Sequence, residues 1–172
     1  AIAYQLLGYP SGFRKYVALS FDDGPNTVTT PKVLDVLEDN GVSASFFVIG
    51  KNISKSSAKV MQRAVRMGCD IENHSFSHSH LPRLDETAVK DEVARTSALI
   101  EKYTGESPRF FRPPYIDHNE MMHKTIDLTF ICGIGADDWK KDADAERRAA
   151  LILNNVKDGD IILLHDFEGN DA

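Results

Sequence analysis

The feature that most constrains this chain is an unbroken alternation of short apolar runs with segments of helical period. The runs YVALSF (16–21), ASFFVIG (44–50), CDIEN (69–73), RFFR (109–112), LTFICGIG (128–135) and DIILLH (160–165) have strand length and strand character. Helical segments fill the gaps. Thr30 is predicted to cap the first, with Pro31 at its first position, Val33, Leu34, Val36 and Leu37 as its apolar stripe and Gly41 as its end. The second, 57–67, turns Val60, Met61, Ala64 and Val65 to one side and stops at Gly68. Asp85 opens the longest, which carries Val89, Val93, Leu99, Ile100 and Tyr103 inward before Gly105 and Pro108 end it. One or two turns follow over 119–126. Asp144 opens the last, with Ala149, Ile152, Leu153 and Val156 inward and Gly159 at its end. Strict alternation predicts parallel strands joined by crossover helices, in an α/β layer fold or barrel. No repeat or low-complexity linker divides the sequence, so residues 1–172 read as a single domain. In either architecture functional groups collect just past the carboxyl ends of strands.

Composition narrows the function classes. The chain is 42% apolar and its net charge is only −6, from 20 basic and 26 acidic residues, which argues for a packed core and against disorder. It has no basic stripe for nucleic acid and no apolar run near the ~20 residues of a membrane helix. Cys69 and Cys132 make no disulfide framework and are read as two buried thiols. The N-terminal stretch AIAYQLLGYPSGF lacks the charged and apolar regions of a secretory leader, and the chain opens on Ala. Either the protein is intracellular, or a leader with any preceding modules has been removed; the opening Ala favours the second, a secreted or extracellular protein.

The strand-end rule picks out five groups. Asp22-Asp23-Gly24-Pro25 follows the first strand; turn chemistry alone explains Asp, Gly and Pro, but two adjacent carboxylates at a strand end also suit one cation ligand beside one base. After the third strand, His74, His78 and His80 place three of the chain's six histidines within seven residues. His74 and His78 are four apart, so one helical turn would set both rings on one side. Arg112-Pro113-Pro114-Tyr115 follows the fourth strand, with an arginine able to pair a carboxylate and prolines that hold the backbone extended. Asp137-Asp138-Trp139 follows the fifth and His165-Asp166 the sixth. Each has an ordinary structural explanation, and their coincidence on one rim is what favours a site. Asp23, His74 and His78 form a donor set suited to Zn²⁺, Co²⁺, Ni²⁺ or Fe²⁺, with coordination positions left for water and substrate. Asp22 is placed to take a proton from that water and His165 to protonate a leaving group, as in ester or amide hydrolysis.

SFDDGP, H-S-x-x-H, R-P-P-Y, D-W and L-L-H-D, in this order and spacing, resemble the polysaccharide deacetylases of carbohydrate esterase family 4, the nodulation-deacetylase homology domain. The resemblance runs over about 16–167. It implies an irregular (β/α) barrel and removal of acetyl groups from chitin, peptidoglycan or xylan. It implies Asp22 as catalytic base, Asp23, His74 and His78 as ligands of one divalent metal ion (Zn, Co or Ni), Arg112 as the arginine holding the base, and a Tyr115 backbone N–H on the oxyanion. It further implies Asp138 as the carboxylate orienting the acid, His165 as that acid, and Trp139 and Leu163 as walls around the acetyl methyl. The stretches IDLTFICGIGADDW and AERRAALILNNVKDGDIILLHD look most like clostridial acetylxylan esterases. That implies acetylated xylan as the substrate partner, with other modules of a larger enzyme alongside. De-N-acetylation of chitin oligomers or peptidoglycan is the alternative.

Three departures stand out. Ile116 replaces the glycine usual after the motif tyrosine, and Asp117, His118 and Asn119 follow it on the border of the substrate groove. His80 replaces a small, acidic or amide residue and is expected to be a bystander. The chain ends at Ala172, soon after the last motif, so the barrel is expected to be incomplete at its C-terminus. Two readings from other classes remain: an iron-dependent oxygenase, which also uses two His and a carboxylate but usually in an antiparallel jelly roll, and a non-catalytic sugar-binding relative, which should have lost a ligand or the base.

Overall fold

The computed structural model describes residues 4–5, 15–140 and 144–170. Most of the N-terminal stretch read above for a leader lies outside them. The elements, in order, are β1 (Tyr4–Gln5), β2 (Tyr16–Asp22), α1 (Thr29–Asp39), β3 (Ser45–Val48), α2 (Ser57–Arg66), β4 (Asp70–Asn73) and α3 (Glu86–Thr104). They continue with β5 (Phe110–Phe111), α4 (Glu120–Thr125), β6 (Thr129–Phe130), β7 (Ile134–Gly135), α5 (Ala145–Asn155) and β8 (Ile161–His165). Seven strands are parallel, in the order β6-β5-β4-β3-β2-β8-β7, and β1 adds antiparallel to β2. The sheet curls into part of a (β/α) barrel and stays open between β6 and β7, as expected of an incomplete barrel. Its parallel strands are unlike the antiparallel jelly roll of the oxygenase reading.

Side-chain alternation sorts each strand into a helix-facing and a barrel-facing row. Phe21, Phe46, Val48 and Ile71 pack with Leu34, Leu37, Met61 and Ile100 into the larger core cluster. Leu81, Val89, Val93, Phe111, Met122 and Ile126 form a second beside α3 and α4. A fully buried Leu, Ile or Phe at such positions contributes about 1.5–3 kcal/mol. The opposite row carries the polar strand ends. Asp22 on β2 is in register with His165 on β8 and Phe47 on β3, so base and acid candidates are cross-strand neighbours on the barrel side.

Five local expectations are corrected. Thr30 does not cap α1; Asn26 does, its Oδ1 accepting from the N–H groups of Val28, Thr29 and Thr30 at 2.9, 2.6 and 3.3 Å. An Asn four residues upstream reaches all three orphan donors, which a threonine already inside the helix cannot. The 128–135 run is two strands on opposite edges of the sheet, β6 and β7, joined by residues 131–133. That link crosses so close to β8 that a Cβ on Gly133 would stand 2.9 Å from Leu163 Cβ and 3.0 Å from the Ile161 carbonyl oxygen. Cys132 sits on this crossing and is exposed, whereas Cys69 is buried as expected. The apolar residues of α5 are not inward: Leu153 is 68% exposed, Ala149 is exposed, Ile152 and Val156 are half-buried, and Arg148 is the helix's buried residue. Finally, Leu99 and Tyr103 on α3 are half-buried, with Thr96 taking the inward place beside Val93 and Ile100.

Candidate active site

The metal-ligating candidates converge without a helix. Residues 74–78 are a loop after β4 with Ser75 and His78 in the left-handed region, at φ 64° and 61°. The one-turn helix expected for His74 and His78 is therefore replaced by a loop that bends twice. Side chains from outside hold it. Asn73 Oδ1 accepts from Ser75 N–H at 2.9 Å, and Glu92 Oε2 on α3 accepts from Phe76 and Ser77 N–H at 2.9 and 2.8 Å. These bonds offset the cost of ordinary residues at positive φ.

The loop sets His78 Nε2 at 3.2 Å and His74 Nε2 at 3.4 Å from Asp23 Oδ1. Two ligands bound at ~2.1 Å to a tetrahedral ion stand about 3.4 Å apart, so this spacing fits one divalent ion. Asp23 Oδ1 is buried and has no hydrogen-bond partner, an orphan that a cation would satisfy. The arrangement also fixes a tautomer: His74 Nδ1 lies 2.7 Å from the Arg112 carbonyl oxygen, so Nδ1 carries the proton and the Nε2 lone pair faces the cluster. Burial works against the Asp23 carboxylate, but the two facing imidazoles outweigh it and hold its pKa well below the usual carboxylate range. Asp23, His74 and His78 are the one such three-ligand group among the described residues.

Each proton-transfer candidate has its own oppositely charged partner. Asp22, 3% exposed, accepts from Arg112 Nη1 at 2.6 Å through Oδ1, and its Oδ2 lies 3.8 Å from His74 Nε2. Arg112 is fully buried, with its guanidinium 4.0 Å over the Phe47 ring. Removing one partner of such a buried pair costs about 3–5 kcal/mol, because the other charge is stranded. Across the rim His165 Nδ1 lies 2.9 Å from Asp138 Oδ1, and His165 N–H donates to Asp138 Oδ2 at 2.6 Å. Burial opposes the imidazolium, yet the bond and charge of Asp138, with Asp22 and Asp23 behind it, raise the His165 pKa above its ordinary value.

The remaining sequence candidates fall around this centre. Tyr115 is left-handed at φ 59°, more than half exposed, and meets the His78 ring edge-on at 4.7 Å between centroids. Leu163 is buried on the barrel side of β8, two residues before His165, whereas Trp139 is 57% exposed on the rim. His80 does not join the cluster: it stacks on Tyr115 at 4.0 Å and lies 3.2 Å from Asp117 Oδ2.

A family model for polysaccharide deacetylase matches residues 11–129. The chain belongs to the polysaccharide deacetylase family. It is 43% identical over 157 residues to a bifunctional xylanase/deacetylase of Pseudobutyrivibrio xylanivorans, covering 91% of this chain and 26% of that one. It is 34% identical to a peptidoglycan-N-acetylglucosamine deacetylase of Bacillus cereus, over 89% of this chain and 56% of the relative. Among solved structures it resembles a family 4 acetyl xylan esterase from Clostridium thermocellum in complex with a cobalt ion, at TM-score 0.88 and 42% identity, over 90% of this chain and 76% of that one. The chain thus spans about a quarter and just over half the length of these two curated relatives.

Sequence reasoning left several groups of this deacetylase fold without a role. Asn73 and Glu92 carry no motif of their own; helical periodicity marks Glu92 only as polar. Asp166 was visible as the second half of His165-Asp166. It is fully buried, accepts from Thr30 Oγ1 at 2.6 Å, and is joined to Asp22 through a 3.0 Å backbone bond. A Cβ on Gly24 would stand 2.6 Å from Asp166 Oδ2, so the turn after Asp23 needs glycine there. Burial pushes the Asp166 carboxyl up to about 7, with Thr30 and Gly24 opposing and Asp22 and Asp23 adding.

Proposed function

We propose that this chain hydrolyses acetyl groups from a polysaccharide, with O-acetyl groups of acetylxylan as the preferred substrate. The observation that carries the reading is the pair of buried carboxylate partnerships, Arg112–Asp22 and Asp138–His165, flanking one Asp23–His74–His78 cluster. Asp23, His74 and His78 would hold a divalent ion, which would supply Lewis acidity to the attacking water and the acyl oxygen. Asp22, paired with Arg112, accepts a proton from the attacking water. His165, held by Asp138, gives its proton to the sugar oxygen as the acyl C–O bond breaks, so that acetate and a free hydroxyl leave. Asp22 then returns its proton to solvent, and His165 regains one. Tyr115 lends its backbone N–H to the developing oxyanion, and Leu163 and Trp139 border the acetyl methyl. Retention of all three ligands, base and acid argues against a non-catalytic sugar-binding role.

The xylan preference rests on the likeness to the xylanase/deacetylase and to the acetyl xylan esterase. A polymer substrate outside the cell supports a secreted enzyme, working as one module among others. De-N-acetylation of chitin oligomers or peptidoglycan is the second reading, favoured by the likeness to the Bacillus cereus deacetylase. Acetate release from acetylated xylan, N-acetylated chitin oligomers and peptidoglycan, measured in parallel with Zn²⁺, Co²⁺ or Ni²⁺ defined, decides between them. Faster release from xylan supports the first reading; release only from N-acetyl sugars overturns it.

A further inference from the structure

The turn after Pro114 holds two consecutive residues in the left-handed backbone region, Tyr115 at φ 59° and Ile116 at φ 54°. Glycine adopts such angles freely. A β-branched residue there is an outlier, because its Cβ crowds the neighbouring backbone. Two turn bonds accompany the shape: Ile116 N–H donates to the Pro113 carbonyl oxygen at 3.0 Å, and Asp117 N–H to the Pro114 carbonyl oxygen at 3.1 Å. Such bonds are ordinary in turns and do not explain an isoleucine at positive φ. A strained residue persists only where its surroundings hold it.

The holding contacts come from His80. Its ring stacks on Tyr115, with centroids 4.0 Å apart and planes within 13° of parallel. The same ring donates Nδ1–H to Asp117 Oδ2 at 3.2 Å, since a carboxylate can only accept. His80 thus grips the residue before Ile116 and the residue after it. On its other side Tyr115 meets the His78 ring edge-on at 4.7 Å, and its hydroxyl donates to the His78 carbonyl oxygen at 3.4 Å. Tyr115 is therefore fixed between a metal-ligating candidate and a histidine outside the cluster. The His80 and Asp117 side chains are partly open to solvent, and a pair so exposed adds little to overall stability.

We propose that His80 and Asp117 are positioning residues: they clamp Tyr115 and Ile116 in the left-handed turn and so fix the direction of the Tyr115 backbone N–H. This rests on the deacetylase reading, in which that N–H meets the developing oxyanion. The charge it meets exists only in the transition state, so the clamp acts on kcat and not on substrate binding. Ile116 is what makes the clamp necessary. An isoleucine released from it leaves the left-handed region, whereas glycine visits that region about as readily as the opposite one.

The test measures acetate release and Zn²⁺ affinity for the wild type, His80→Ala, His80→Phe, Ile116→Gly and the double variant His80→Ala/Ile116→Gly. Backbone NMR signals of residues 115–117 in the Zn²⁺-loaded proteins report the turn, and the whole spectrum reports folding. His80→Ala should lower kcat about tenfold or more, within the loss of about 10²–10³-fold that follows removal of an oxyanion donor, with KM and Zn²⁺ affinity unchanged. His80→Phe, which keeps a ring on Tyr115 but not the bond to Asp117, should recover part of the loss. In the Ile116→Gly background the loss of His80 should cost clearly less, because glycine needs less support at this φ. A kcat that His80→Ala leaves intact, a loss that appears in KM or Zn²⁺ affinity instead, or an equal loss in both backgrounds overturns the proposal while the deacetylase reading stands. If the wild type releases acetate from none of acetylated xylan, chitin oligomers and peptidoglycan, that reading falls. Altered 115–117 signals in His80→Ala then still support the clamp, and unaltered signals overturn it.

Discussion

Asp138→Asn tests the proposed acid role of His165 directly, because Asp138 acts on His165 through two close contacts and through charge. The ring nitrogen lies 2.9 Å from one carboxylate oxygen, and the backbone N–H is 2.6 Å from the other. Asn keeps the shape and one acceptor but removes the charge. Burial, which opposes the imidazolium, then meets less resistance, since Asp138 is the foremost group raising the His165 pKa. Each pKa unit corresponds to about 1.4 kcal/mol. The acid must be protonated to act, so the alkaline limb of kcat should move to lower pH. Turnover on the alkaline side should fall about tenfold for each unit. The same linkage acts on stability. A raised histidine pKa gives stabilisation that is full below about 6.5, its unfolded value, and is lost as pH rises through the folded pKa; the variant should flatten that loss. The assay pairs a pH–rate profile with an NMR titration of the His165 ring in Zn²⁺-loaded protein. An alkaline limb and a ring titration that both stay in place would refute the assignment of Asp138 as the group that charges His165.

Other outcomes follow from the same geometry. Asp22→Asn should bind metal as the wild type does, by calorimetric titration, and lose about 10²–10⁴-fold in kcat, the usual worth of a general base; normal turnover would remove Asp22 from that role. His80→Ala should keep metal affinity, because His80 pairs with Asp117 and Tyr115 and not with the cluster; a large loss of affinity would make it a ligand. Asp166, with its carboxyl raised to about 7, binds a proton more tightly folded than unfolded. It should therefore drain stability as pH rises from about 4 to about 7, and Asp166→Asn should remove that part of the decline. Urea unfolding at pH 5 and pH 8 reads the difference, and an equal decline in both proteins would contradict it.

The rim was legible because strand ends are marked twice, once by where apolar runs stop and once by the charged residues that follow. Asp22, Asp23, His74, His78, Arg112, Asp138 and His165 all fall within a few residues of a strand's end and meet in space. Periodicity carries no information about close approach, so it read 128–135 as one strand where Gly133 must slip past Leu163. Spacing of four suggests a helix equally to any pair of histidines; only the bonds from Asn73 and Glu92 explain why a loop bends there instead. The same blindness hid Asn26 behind Thr30, since capping depends on where the helix axis begins. In α5 the apolar spacing is present, but Leu153 faces solvent and Arg148 is buried among the described residues.

One measurement bears most directly on the whole account: metal content and acetate release followed together as the protein is stripped by a chelator and reloaded with Zn²⁺ or Co²⁺. The account predicts one ion per chain in the wild type, none retained by Asp23→Ala, and acetate release that disappears and returns with the ion. Full acetate release from metal-free protein, or an undiminished ion in Asp23→Ala, would contradict it.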